Sequence, residues 1–228
     1  MKPLQGQSAI ITGGSTEVAA AVAVALAREG VQVSLCGKAP DLLELVTPSI
    51  KSFGGVCLPI VSNLDTLEDA ESVVAQTQAA FGRLDIVILV SGFWSGGFLH
   101  EHSVKAWDLV MSANLREPFL MACAVLPVLR AQGHGEVMAI GSDSALGNYP
   151  QDGAYGAAMH GLNSMMDIMR IENAEHGIRV HTLSPGLALT ASDDENEKSF
   201  LSTSDVAEWA VWILTRPAHL RSNGSILI

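Results

Sequence analysis

The chain of 228 residues is 48% hydrophobic and 16% charged, enough for one full core without disulfides and leaner in charge than a lone monomer's surface usually is. A net charge of -11 with 13 basic residues excludes a basic stripe for a phosphate backbone, so no nucleic acid partner is expected. Cys36, Cys57 and Cys123, odd in number and set in apolar runs, read as buried thiols of a reducing compartment. The N-terminus lacks a signal-peptide pattern and no uninterrupted apolar run reaches about 18 residues, so a cytoplasmic protein without a membrane span is expected.

Short apolar runs at 8–12, 31–36, 56–61, 86–90, 136–141, 178–184 and 225–228 read as strands, each separated from the next by a helical pattern. Alternation of this kind predicts an α/β fold, a doubly wound parallel sheet of seven strands (Rossmann-like) in a single domain over 1–228. Ligands of such sheets sit beyond the carboxyl ends of the strands, where the strand order reverses. The loops after Thr12, Cys36, Val61, Val90, Gly141 and Ser184 are therefore the places to inspect.

After the first strand comes Thr12-Gly13-Gly14-Ser15-Thr16-Glu17-Val18-Ala19, a glycine turn that opens a helix over 19–28. Cys36-Gly37-Lys38 follows the second strand, with no acid for a ribose 2'-hydroxyl but a cation in reach of a 2'-phosphate; Lys38 reads equally well as a solvated surface residue. Asn63 follows the third strand, and Leu89-Val90-Ser91-Gly92 ends the fourth, with Phe93 and Trp94 next. Those two rings and Tyr149 read either as cleft lining or as loop packing. Asn114 lies on a central helix, and Met165, Met166 and Met169 read as helix packing at a subunit interface.

The fifth strand delivers Ser142 to the sheet edge, and 13 positions later Tyr155 opens a helix over 155–175. A hydroxyl at a strand end facing a phenol on the next helix can serve proton transfer. His160, five residues on, projects about 140 degrees around that helix from Tyr155, away from it. The remaining histidines show no metal-ligand spacing, so no metal is expected. Ser184-Pro185-Gly186, Thr190 and the acidic run 193–198 follow the sixth strand.

Ser142 with Tyr155-Gly-Ala-Ala, the turn at Gly13, Asn114 and the Pro185-Gly186 pair together resemble the short-chain dehydrogenase/reductase family over nearly the whole chain. The resemblance implies that Ser142 polarises a carbonyl, that Tyr155 transfers the proton and that the Asn114 backbone anchors a water. It implies further that Thr12, Gly13, Ser15, Lys38, Asn63, Gly92, Pro185, Gly186 and Thr190 bind a dinucleotide, with NADP favoured over NAD by Lys38.

Four departures point one way. Met159 stands where the family has the Lys that holds the nicotinamide ribose and lowers the Tyr pKa; a thioether can do neither. Glu17 replaces the middle glycine, where it either repels a pyrophosphate or serves the first turn of its own helix; Ala19 replaces the third glycine more mildly. Leu89 and Val90 replace two asparagines, and Asn63 the usual Asp.

Three readings follow. The first is an NADP-dependent carbonyl or alcohol oxidoreductase of weak or absent activity on a small substrate. The second is a catalytically silent member serving as a structural or regulatory subunit, in a homo-oligomer or with a related chain. The third is cofactor-independent Ser/Tyr chemistry as in the halohydrin dehalogenases, whose Arg and aromatic signatures are missing at Met159 and Glu17. On this reasoning Glu17→Gly with Met159→Lys restores NADP binding and some reductase activity.

Overall fold

The computed structural model describes residues 2–90, 92–186, 188–189, 201–217 and 225–228. A parallel sheet of seven strands forms the middle layer: β1 (Ser8–Ile11), β2 (Gln32–Gly37), β3 (Cys57–Val61), β4 (Ile86–Val90), β5 (Gly135–Ile140), β6 (Ile178–Ser184) and, last in sequence, β9 (Ser225–Leu227). Their order is β3-β2-β1-β4-β5-β6-β9, so the direction of winding reverses between β1 and β4. Two short strands, β7 (Ala188–Leu189) and β8 (Leu201–Ser202), pair with each other beyond β6.

The central strands β1 and β4 are buried along their whole length, which is why they read as unbroken apolar runs rather than alternating ones. Edge strand β3 alternates in burial and tolerates Pro59, which has no N–H to give a ladder. Helices α1 (Glu17–Arg28), α2 (Pro40–Ser52) and α7 (Thr203–Leu214) cover one face through Val22, Leu26, Leu43, Ile50 and Ile213. Helices α3 (Leu67–Phe81), α4 (Val104–Met111), α5 (Glu117–Gln132) and α6 (Gly153–Asn173) cover the other. α3 starts on a Thr66/Asp69 capping box and stops at Gly82 with φ +74°, a left-handed conformation that favours glycine.

α4 and α5 are joined without a break by one π-helical turn, Ser112–Arg116. The continuous helix Val104–Gln132 is long and apolar enough to cross a membrane, although polar residues interrupt its apolar runs. Its apolar side chains Val110, Leu120, Met121, Val125 and Leu129 instead enter the core of this fold.

Two further expectations are corrected. Cys36 and Cys57 are buried but Cys123 is exposed, because it falls on the outward face of α5. Met166 and Met169 pack into the chain's own core beneath α6 rather than at a subunit surface; only Met165 is half-exposed.

Candidate active site

The first loop is held in a shape that only glycine permits. Gly13 has φ +67°, and a Cβ there would meet the Val90 carbonyl oxygen at 2.7 Å; the Gly14 N–H donates to the Cys36 carbonyl at 2.7 Å. Thr12 is buried and its Oγ1 accepts from Val90 N at 3.2 Å, so β1 and β4 are joined where the winding reverses. Ser15 Oγ accepts from Ala39 N at 3.0 Å and thereby holds the loop after β2.

Thr16, not Glu17, caps α1: its Oγ1 accepts from Ala19 N at 3.2 Å. Glu17 stands exposed in the first turn, where a carboxylate is favoured by the helix dipole. Lys38 Nζ lies 2.6 Å from Glu117 Oε1, so the cation expected to be solvated or free for a phosphate is already paired. Asn63 is exposed at the end of β3, and an added Cβ on Gly92 would meet open space.

The structure brings Ser142 and Tyr155 together. β5 ends at Ile140, a single 3-10 turn (Asp143–Ala145) follows Ser142, and the first turn of α6 carries Tyr155 back over the strand end, within hydrogen-bonding reach of Ser142. Asp152 sits at the start of α6 but does not cap it; its carboxylate accepts instead from Trp94 Nε1 at 2.9 Å. Asp143 accepts from Ser142 Oγ at 3.0 Å and from Tyr149 Oη at 3.0 Å. Ser142 has one proton to give, to the Asp143 carboxylate or to the Tyr155 oxygen, and the second of these favours the phenolate.

Electrostatics follow from these partners. Burial raises the Tyr155 pKa above its ordinary value of 10.0, the Ser142 hydrogen bond opposes this, and the Asp152 and Asp143 charges add to the rise. The Tyr149 phenol is raised as well, first by its hydrogen bond to Asp143. Met159 is fully buried, and its sulfur lies 3.6 Å from where a Gly141 Cβ would be, so it packs on the end of β5 within the core.

Other expected site residues have partners within the chain. The Asn114 side chain, inside the π turn, accepts from Phe93 N at 3.0 Å and donates to the carbonyls of Phe93 and Val110 at 2.7 and 2.9 Å. It fixes the loop after β4, and the rings of Phe93 and Trp94 are left exposed. The Pro185 carbonyl accepts from Asp143 N at 3.0 Å and Gly186 N donates to the Ile228 carbonyl at 3.0 Å, so the turn after β6 braces the Ser142 loop. His160 is exposed and its Nδ1 lies 2.9 Å from the Gly156 carbonyl of its own helix. Thr190 and the acidic run 193–198 lie outside the described residues, as does Ser91.

Sequence reasoning missed Asp143, Asp152 and Glu117. The first two carried a readable signal, one adjacent to Ser142 and the other three residues before Tyr155. Glu117 carried none, because its partner lies 79 residues away.

The family model described as short chain dehydrogenase matches residues 7–199. An uncharacterized oxidoreductase of Staphylococcus saprophyticus is 28% identical over 227 residues, 98% of this chain and 97% of its own length. The glycine betaine reductase ATRR of Emericella nidulans is 27% identical over 97% of this chain, which spans only 18% of that larger protein. Among solved structures, a protein of Burkholderia xenovorans described as a short-chain dehydrogenase/reductase superposes with a TM-score of 0.93 at 26% identity, covering 100% of this chain and 96% of its own. Levodione reductase superposes at 0.90 with 24% identity, covering 98% and 96%.

Proposed function

Because this chain belongs to the short-chain dehydrogenase family, we propose that it is an NADP-linked reductase of small carbonyl compounds in which Tyr155 is the proton donor. The observation that carries the reading is the placement of Tyr155: buried, beside Ser142 at the end of β5, and held protonated by burial and two flanking carboxylates.

The residues of the crevice fit a dinucleotide at its adenosine end. Gly13 leaves no room for a side chain, Gly92 opens on free space, Lys38 supplies a cation and Asn63 an exposed amide. Thr12, Ser15, Pro185 and Gly186 hold these loops in register, and Thr190 is assigned to the nicotinamide end by resemblance alone. At the ribose, Met159 offers neither charge nor hydrogen bond, so binding rests on the adenosine half.

When bound, the dinucleotide supplies hydride. Tyr155 then donates its one phenolic proton to the carbonyl oxygen and is left as phenolate, which the Ser142 hydroxyl beside it stabilises by donating to it. Asn114 keeps the loop after β4 open beside them through its bonds to Phe93. Oxidation of an alcohol needs the phenolate, which for a Tyr at or above its ordinary pKa is about one molecule in a thousand or fewer at pH 7. Reduction is the favoured direction.

A second reading, a silent subunit, draws on the same Met159 and on exposed apolar side chains along α4 to α6, among them Leu109, Phe119, Ile168 and Ile171. Either way we take residues 1–228 as one domain, working in the cytoplasm as a homo-oligomer or beside a related chain. The test is calorimetric titration with NADPH and NADH, followed by NADPH consumption over a carbonyl panel for the parent and Tyr155→Phe. Micromolar NADPH binding with a rate loss of about 10² to 10⁴ in the variant is expected. No binding up to millimolar would favour the silent subunit.

A further inference from the structure

One helix ties down both walls of the crevice. Asn114 grips the loop after β4 through Phe93, and Glu117, three residues later on the same helical rod, reaches to Lys38 at the end of β2. The Glu117 carboxylate is mostly buried, with 15% of its side chain exposed, while Lys38 is 48% exposed. Glu117 is thus the fixed partner and Lys38 the mobile one. The backbone before Lys38 packs closely on the cofactor loop, since a Cβ on neighbouring Gly37 would lie 2.9 Å from Ser15 N.

A 2'-phosphate reaching Lys38 would therefore meet Glu117 first. The Glu117 carboxylate lies 2.6 Å from the ammonium, and two anions around one cation repel each other. A neutral 2'-hydroxyl meets no such contest and can leave the pair intact. We propose that Glu117 is a cofactor-discriminating residue, which holds Lys38 and must yield it before a dinucleotide bearing a 2'-phosphate can bind. The parent protein then prefers NADPH by less than Lys38 alone would provide. Burial raises the Glu117 pKa, the hydrogen bond and charge of Lys38 oppose the rise, Asp65 adds to it and Arg116 opposes it.

This inference rests on the NADP reading above, and binding rather than turnover tests it. The full-length parent, Glu117→Gln, Lys38→Gln and the double variant are titrated with NADPH, NADH and adenosine 2',5'-bisphosphate, with thermal melting to verify folding. Glu117→Gln is expected to tighten NADPH and the bisphosphate by about tenfold, the scale of one charge contact, and to leave NADH unchanged. In the Lys38→Gln background the gain should vanish. Equal shifts for NADPH and NADH, or weaker NADPH binding by a folded Glu117→Gln, would overturn the proposal and leave Glu117 a structural group. If NADH alone binds to every version, the dinucleotide site stands but the NADP preference and the discriminating role both fall. If no dinucleotide binds to any version, both fall.

Discussion

The two ends of the sheet handle charge in opposite ways. At the amino-terminal edge, buried Asp85 takes two bonds of 2.7 Å from Arg83 and one of 2.8 Å from Ser8 N. Nearby, Glu136 pairs with Arg179 and lies 3.0 Å from His181. Both of these carboxylates have a nitrogen partner that is charged or can become so. At the carboxyl edge, Asp143 and Asp152 are met by a serine, a tyrosine and an indole, and no lysine or arginine among the described residues pairs with them. Ser184 Oγ is buried there without a partner among the described residues.

One end is satisfied and so contributes to stability; the other is left wanting, as binding edges are. Lys38 and Glu117 are the exception, an ion pair inside the unsatisfied edge.

The largest expected effect comes from placing a cation in the acidic end. Met159 is fully buried against the end of β5, so Met159→Lys puts an ammonium into the core at a cost of roughly 3–5 kcal/mol. The Glu17→Gly, Met159→Lys pair is therefore expected to gain NADPH affinity only with a lower melting temperature. A single variant that melts with the parent in a calorimetric scan would mean the new ammonium escapes to the crevice, and the contrast between the two ends would weaken.

Asp85→Ala tests the other end. It strands the Ser8 N–H and the Arg83 guanidinium, and should cost roughly 2–4 kcal/mol in urea unfolding, discounted because Arg83 is half-exposed. NADPH affinity of the folded fraction should not change. A coupled loss of binding would show that the two ends are not independent.

The smallest effect is read in pH. On the proposed mechanism reduction uses protonated Tyr155, whose pKa is raised, so the rate should be flat through neutrality and fall only as pH climbs past the ordinary Tyr value of 10.0. Asp143→Asn removes a charge that supports the rise, so the alkaline fall should move to lower pH. Movement to higher pH, or none in a folded variant, would mean that Asp143 does not act on Tyr155.

Much of this was legible in the chain itself. Seven strands could be located to within a residue or so at most ends because a buried parallel strand must be apolar on both faces, and Gly13 stood out because its turn tolerates nothing larger. Ser142 and Tyr155 could be paired because strand, turn and helix leave one short path between them. The side-chain contacts of Asn114 and Lys38 were not legible, since each is made to a partner far along the chain, Phe93 and Glu117.

The sequence alone therefore determined the doubly wound sheet, the crevice at its reversal and the two hydroxyls that face each other there, because periodicity and spacing are local properties. Only the tertiary structure decided what charge those hydroxyls feel, where the Lys38 cation goes and that Met159 belongs to the core. Burial and long-range pairing set those properties, and neither exists until the helices have closed over the sheet.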